Sequence, residues 1–114
     1  MGSSTQALLV LTTAPDLEVG RALARELLER RLVACASLVP GLESHYRWEG
    51  ELQSSAEVQL LLKTTPERLA ALETALTELH PYELPELLAL PVKGGGAAYL
   101  AWVASEVDAE ERLA

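Results

Sequence analysis

A faint internal repeat, two one-faced helical stretches and one overlong extended segment together predict an α+β fold of the ferredoxin-like, split βαβ kind. The predicted order is strand, helix, strand, strand, helix, strand, with a long hairpin in the middle and a short helix at the end. In the repeat, Leu9-Val10-Leu11-Thr12-Thr13-Ala14-Pro15-Asp16 is echoed by Leu61-Leu62-Lys63-Thr64-Thr65-Pro66-Glu67. Each copy is an apolar run, then Thr-Thr, then Pro and an acid, then a helical pattern. The apolar run reads as a strand. Pro suits a first helical turn, where its missing N–H has no partner, and the acid opposes the positive end of the helix dipole.

The first helix is predicted over residues 16–31. Val19, Leu23 and Leu27 recur every four residues, Ala24 and Leu28 widen the stripe, and Arg30 and Arg31 occupy the last turn. The second is predicted over 66–79, with Leu69, Leu72, Leu76 and Leu79 on its buried face and Pro81 preventing continuation. Each carries a single apolar stripe, so both are expected to cover one face of a four-stranded antiparallel sheet.

Residues 33–39 are all small or apolar, as in a central strand. Pro40-Gly41 predicts a bulge or bend, because Pro cannot donate to a ladder and Gly admits unusual dihedrals. Beyond it the chain alternates. Leu42, Ser44, Tyr46 and Trp48 share one face, and Glu43, His45, Arg47 and Glu49 the other. Glu49-Gly50 is the predicted turn, and the return strand covers 52–63. A last strand is predicted over 86–92, with Pro91 marking an edge, then a Lys93-Gly94-Gly95-Gly96 loop and a helix over 97–107. One domain is expected over 7–107, between a disordered start (1–6) and a frayed end (108–114).

Lengths carry the main inference. Fully extended, residues 33–48 span about 50 Å, whereas a 15-residue helix covers about 22 Å. The hairpin therefore outreaches its own helices, and the open sheet face keeps apolar side chains. Other copies of the chain are expected to cover them.

Composition excludes several classes. Seventeen acidic against nine basic residues give a net charge of −8, a poor match to phosphate backbones, so no nucleic-acid partner is expected. No apolar run approaches a membrane span, so no membrane partner is expected either. One cysteine, Cys35, excludes an internal disulfide and any CxxC zinc pair. With no signal pattern at the start, it points to the cytoplasm. No enzyme pattern emerges. Ser44 and His45 point to opposite faces of a strand, the glycine loop lacks phosphate-loop spacing, and Glu83 and Glu86 flank Pro85 without a recognisable pocket.

The residues resemble a known family. Val33-Ala34-Cys35-Ala36-Ser37-Leu38-Val39-Pro40-Gly41, Tyr46-Arg47-Trp48-Glu49-Gly50, Glu57-Val58 with Leu62-Lys63-Thr64, His80-Pro81-Tyr82-Glu83-Leu84-Pro85-Glu86 and Tyr99-Leu100-Ala101-Trp102 look like the CutA divalent-cation tolerance proteins, in order and over nearly the whole domain. The resemblance implies a ferredoxin-like, PII-like homotrimer joined through the long hairpin. It also implies a role in tolerance of copper and other divalent cations. The alternative is a PII-like signalling or interaction trimer that binds a small ligand or partner protein at subunit clefts. In the family's proposed copper site a cysteine ending the first strand joins two successive histidines before Pro-Tyr. Here those positions are Thr12, Leu79 and His80, so only His80 remains of the set.

Copper(I) prefers thiolate and thioether donors and copper(II) imidazole. The metal candidates are thus His80 and Cys35, with copper or another divalent cation as the cofactor expected, held weakly. Each has a plainer reading: a buried small apolar residue for Cys35, a helix C-terminal cap for His80. His45, between Glu43 and Arg47, reads as an ion pair. Tyr46, Trp48, Tyr82, Tyr99 and Trp102 all carry a polar handle, which suits either subunit packing or a ligand cleft. Glu57 and Lys63 share a strand face by period two, and with Tyr82 and Glu86 they complete the candidate cleft or interface set. A small anionic or metal-bound ligand is the expected occupant.

Overall fold

A computed structural model describes residues 6–108. The termini expected to be disordered or frayed fall outside that range, apart from Gln6 and Asp108. Strand β1 (Ala7–Ala14) leads to helix α1 (Leu17–Glu29). Asp16 caps the helix: its carboxylate accepts the Val19 N–H at 2.9 Å. Gly20, Leu23, Ala24 and Leu27 form the buried stripe.

The helix stops two residues short of the predicted end. Arg31 adopts a left-handed conformation (φ 55°), and the Leu32 N–H reaches back to the Leu27 carbonyl at 3.0 Å. This is a Schellman closure, usually built on glycine. Instead of occupying the last turn, Arg30 closes a half-exposed ion pair to Glu26 and Arg31 reaches the Glu106 carbonyl at 3.0 Å.

Strands β2 (Cys35–Trp48) and β3 (Glu51–Thr64) form the hairpin. Val33 and Ala34, predicted to open the strand, precede it and are buried. The register shifts between Val39 and Leu42, where Gly41 has φ 89°, so Pro40-Gly41 forms the predicted bulge without ending the ladder. Glu49 and Gly50 both have positive φ, 51° and 82°, as a two-residue type I′ turn requires.

A 3-10 turn (Pro66–Arg68) precedes helix α2 (Leu69–Leu79), so the predicted helix is real but its first turn is tighter than α. Strand β4 (Leu88–Val92) and helix α3 (Ala97–Glu106) follow. Sheet order is β2-β3-β1-β4, antiparallel throughout. This is the ferredoxin-like arrangement. Pro91 is tolerated because β4 is an edge strand.

Leu8, Val10, Leu60 and Leu62 of the sheet meet Leu23, Leu27, Leu72 and Leu76 of α1 and α2 in one core. The opposite face carries Leu9, Leu11 and Leu61, half-buried, and the exposed Leu88 and Leu90. Helix α3 packs on β1 and β3, where Val103 and Val107 meet Ala34. Beyond α1 and α2 the hairpin runs on alone. The chain's longest extent is 49 Å, against 28 and 22 Å across. Its radius of gyration, 15.1 Å, exceeds the roughly 13 Å of a compact chain this long.

Candidate functional site

The hairpin's overhang and the segment that follows α2 enclose a cleft of about 800 Å³. Its hairpin wall is Ser44, Tyr46 and Trp48, one face of β2, with Gln53 and Glu57 opposite them on β3. Its other wall is Pro81, Tyr82, Glu83, Leu84 and Glu86. Pro81 and Pro85 keep that segment out of regular structure, so its side chains are free to face the sheet.

His80 fixes the segment in place. It is 7% exposed and ends α2, its own N–H bonded to the Leu76 carbonyl. Its Nε2 lies 2.6 Å from the Thr13 carbonyl oxygen, and its Nδ1 accepts the Tyr82 N–H at 3.0 Å. A carbonyl can only accept and an N–H can only donate. The pair of bonds therefore sets the tautomer: Nε2 carries the proton and the Nδ1 lone pair is occupied. The imidazole also packs on the Tyr82 ring, centroids 4.6 Å apart. His80 ties the end of β1 to the cleft wall.

Tyr82 donates its hydroxyl proton to Glu57 Oε2 at 2.7 Å. Burial, and then this bond, push the Tyr82 phenol well above its ordinary range, so it stays a donor. Burial first, and the Glu57 charge second, raise the Glu86 carboxyl above the ordinary glutamate value. Three carboxylates thus line the cleft. The one cationisable lining group, His45, is turned to Glu43, with Nε2 2.6 Å from the carboxylate. That agrees with the predicted ion pair. An anionic occupant does not suit this lining.

The Glu86 shift has a measurable consequence. Because the folded chain holds that proton more tightly than the unfolded chain, the stability it contributes is complete below about pH 4.5 and is lost as pH rises through the raised value. Glu86→Gln keeps the shape and removes the charge. It is expected to raise the neutral-pH melting temperature and to flatten the decline in stability above about pH 4.5. Parallel melting-temperature profiles for the two proteins would contradict this.

The predicted site residues divide into three groups. Tyr46, Trp48, Glu57, Tyr82 and Glu86 meet at the cleft. Lys63 does share the Glu57 face but lies six residues away, about 20 Å along the strand. There it donates to Ser37 Oγ at 3.2 Å and to Cys35 Sγ at 3.6 Å. Tyr99 and Trp102 pair with each other on α3, centroids 5.6 Å apart, away from the cleft.

The two metal candidates are not brought together. Thr13, held by His80, pairs with Gln59, whereas Cys35 pairs with Lys63. That is about 13 Å along β3, with the whole of β3 lying between the two strands. Thr12 is fully buried beside the core, with its hydroxyl unpartnered among the described residues. Among the described residues no three His, Cys, Asp or Glu side chains converge as a metal cage. Glu83, Leu84 and Thr13 also line the cleft; the first two lie in the 80–86 stretch that carries the family resemblance, though neither was expected at the cleft. Only the Pro spacing of 81–85 hinted that this stretch leaves helix and strand.

The sequence model of the CutA1 divalent ion tolerance protein family matches residues 8–106. A divalent-cation tolerance protein CutA from Pectobacterium atrosepticum is 50% identical over 97 residues, covering 85% of this chain and 88% of its own. Among solved structures, CutA1 from Oryza sativa superposes with a TM-score of 0.89 at 40% identity, covering 93% of this chain and 99% of its own. The divalent cation tolerance protein Cut A1 from Thermus thermophilus gives 0.86 at 44% identity, covering 88% and 97%.

Proposed function

The chain belongs to the CutA1 divalent ion tolerance family, and on that premise we propose that it serves divalent-cation tolerance as a cytoplasmic homotrimer that touches copper only weakly. The observation that carries the assembly is the apolar surface one copy leaves open. Val39, Leu88 and Leu90 are exposed on the sheet face and Leu52, 77% exposed, on the hairpin's back. A β-ribbon and sheet face of this kind invite association unless covered. Neighbouring copies offer the same surfaces in return.

Weak copper contact follows from the donors. Cys35 offers one soft sulfur, which a reducing compartment keeps as a thiol. His80 has no lone pair to give while its two bonds hold. Calorimetry with copper(I), copper(II) and zinc on the intact protein is expected to find copper(I) binding weaker than about 10 μM and lost in Cys35→Ser. A submicromolar site that survives Cys35→Ser would contradict the reading. Copper sensitivity of a strain lacking the protein, relieved by restoring it, tests the physiological role.

A second reading, a signalling or interaction trimer with a small ligand at the cleft, draws support from the cleft itself. A cavity of about 800 Å³ with polar groups and aromatic rings has the size and lining of a ligand site.

A further inference from the structure

We propose that His80 is a proton-operated latch: a second proton on its ring, taken up at Nδ1, releases residues 81–86 from the sheet. The inference stands on bonds within one chain and does not depend on whether a neighbouring copy covers that segment.

Two hydrogen bonds run through the ring, and they make opposite demands. The Thr13 carbonyl, near the end of β1, needs a donor, which Nε2 supplies at 2.6 Å. The Tyr82 N–H needs an acceptor, which Nδ1 supplies at 3.0 Å. Only the neutral imidazole with its proton on Nε2 serves both. A proton taken from solvent can enter only at the Nδ1 lone pair, and the N–H it forms there meets the Tyr82 N–H head-on. Donor then faces donor. The bond to Thr13 survives and the bond to Tyr82 is lost, so the break falls on one side of the ring. His80 is 7% exposed, so little water reaches the ring to take its new proton's hydrogen bond.

The segment has little else to hold it. Residues 81–86 lie outside helix and strand, and among the described residues no backbone–backbone hydrogen bond ties them to the sheet. Both hydrogen bonds that anchor them are made by Tyr82: its N–H to His80 and its hydroxyl to Glu57 at 2.7 Å. Loss of the first leaves one side-chain bond on an unpinned backbone, and the packing of the His80 and Tyr82 rings, centroids 4.6 Å apart, goes with it. A segment with so few bonds opens at far lower cost than the core strands beside it.

The titratable groups around the latch come from each neighbouring element. Glu57 of β3, Tyr46 of β2 and Asp16 at the start of α1 all act on Tyr82, which packs on the ring. Glu78 precedes His80 on α2, and Glu83 and Glu86 follow it along the segment. No positive charge stands among them to oppose a second proton on the ring.

Hydrogen exchange of the Tyr82 amide, read by NMR on the full chain between about pH 7.5 and about pH 5.5, tests the latch across the ordinary imidazole range. The measurement uses the Glu86→Gln background at one protein concentration. Glu86 holds its proton more tightly in the folded chain, so it favours the closed segment as pH falls and would mask the effect. Corrected for the intrinsic rate, protection of the Tyr82 amide is expected to fall between about threefold and tenfold per pH unit below about pH 6.5, as one proton taken up on opening requires. The amides of β1 are expected to keep their protection, which separates the latch from unfolding. His80→Asn places an amide oxygen near the Nδ1 position, where it accepts the Tyr82 N–H and takes no proton, so its slope is expected to be flat. Nitrogen NMR of the His80 ring is expected to show the proton on Nε2 at about pH 7.5, and the second proton arriving over the range in which Tyr82 protection falls. Three results overturn the proposal: flat protection of the Tyr82 amide across the range, an equal slope in His80→Asn, or a proton on Nδ1 at neutral pH. The first and third need no change at His80, so they decide the matter even if His80→Asn does not fold.

Discussion

Replacing His80 with alanine is expected to lower the unfolding free energy by about 3 kcal/mol, because it strips one buried and one part-buried backbone group of their partner at once, each worth about 1–3 kcal/mol when orphaned. The groups are the Thr13 carbonyl and the Tyr82 N–H, joined through one ring that is 7% exposed. Removal also leaves space beside Tyr82, whose ring loses its neighbour. The damage should spread to the cleft, since Tyr82 then holds Glu57 without a fixed backbone. Urea denaturation at a fixed protein concentration measures the first effect, and hydrogen exchange of the Tyr82 amide the second. A variant as stable as the parent, with copper binding abolished, would show that His80 is a ligand rather than a tie.

The second large effect concerns assembly. If the proposed trimer forms, Val39→Asp together with Leu90→Asp is expected to convert it to monomer at micromolar concentration. Both positions are more than two-fifths exposed in the single chain, so charges there do not disturb its core. In a covered face the same charges lack partners, and an uncompensated buried charge costs about 3–5 kcal/mol. Six such charges in a closed trimer exceed what one interface regains. A folded, monomeric variant with a native-like circular dichroism spectrum is the expected result. A variant that still sediments with its parent would place the interface elsewhere.

Much of this architecture was legible because the signals were local. The helix start at Pro15-Asp16, the Pro40-Gly41 bulge and the Glu49-Gly50 turn each depend on the chemistry of one or two residues, although Asp16 caps the helix rather than opening it. The end of α1 was not legible, because Arg31 takes a left-handed conformation that its residue type does not advertise; the Leu32 anchor and the bond to Glu106 hold it there. The cleft was half legible. Alternation along β2 placed Tyr46 and Trp48 on the face they occupy. The meeting of Tyr82 with Glu57, 25 residues apart, depends on how an irregular segment crosses the sheet, and no periodicity encodes that. Lys63 shows the limit of period-two reasoning: it gives the face of a residue, not its distance along the strand.

The resemblance and the length argument point to the same feature by independent routes. Fourteen-residue strands on both sides of the hairpin reach well past the eleven- and thirteen-residue helices beneath them. What shelters the remainder decides whether the cleft is a free surface feature or one of three equivalent sites in an assembly. It also bears on stability, since association adds to the folding free energy and makes melting concentration-dependent.

Sedimentation velocity on the intact protein at micromolar concentration tests this most directly. A single species of three times the 12.3 kDa chain mass is the predicted result. A stable species of one chain mass, with the hairpin's amides exchanging freely with solvent, would contradict it.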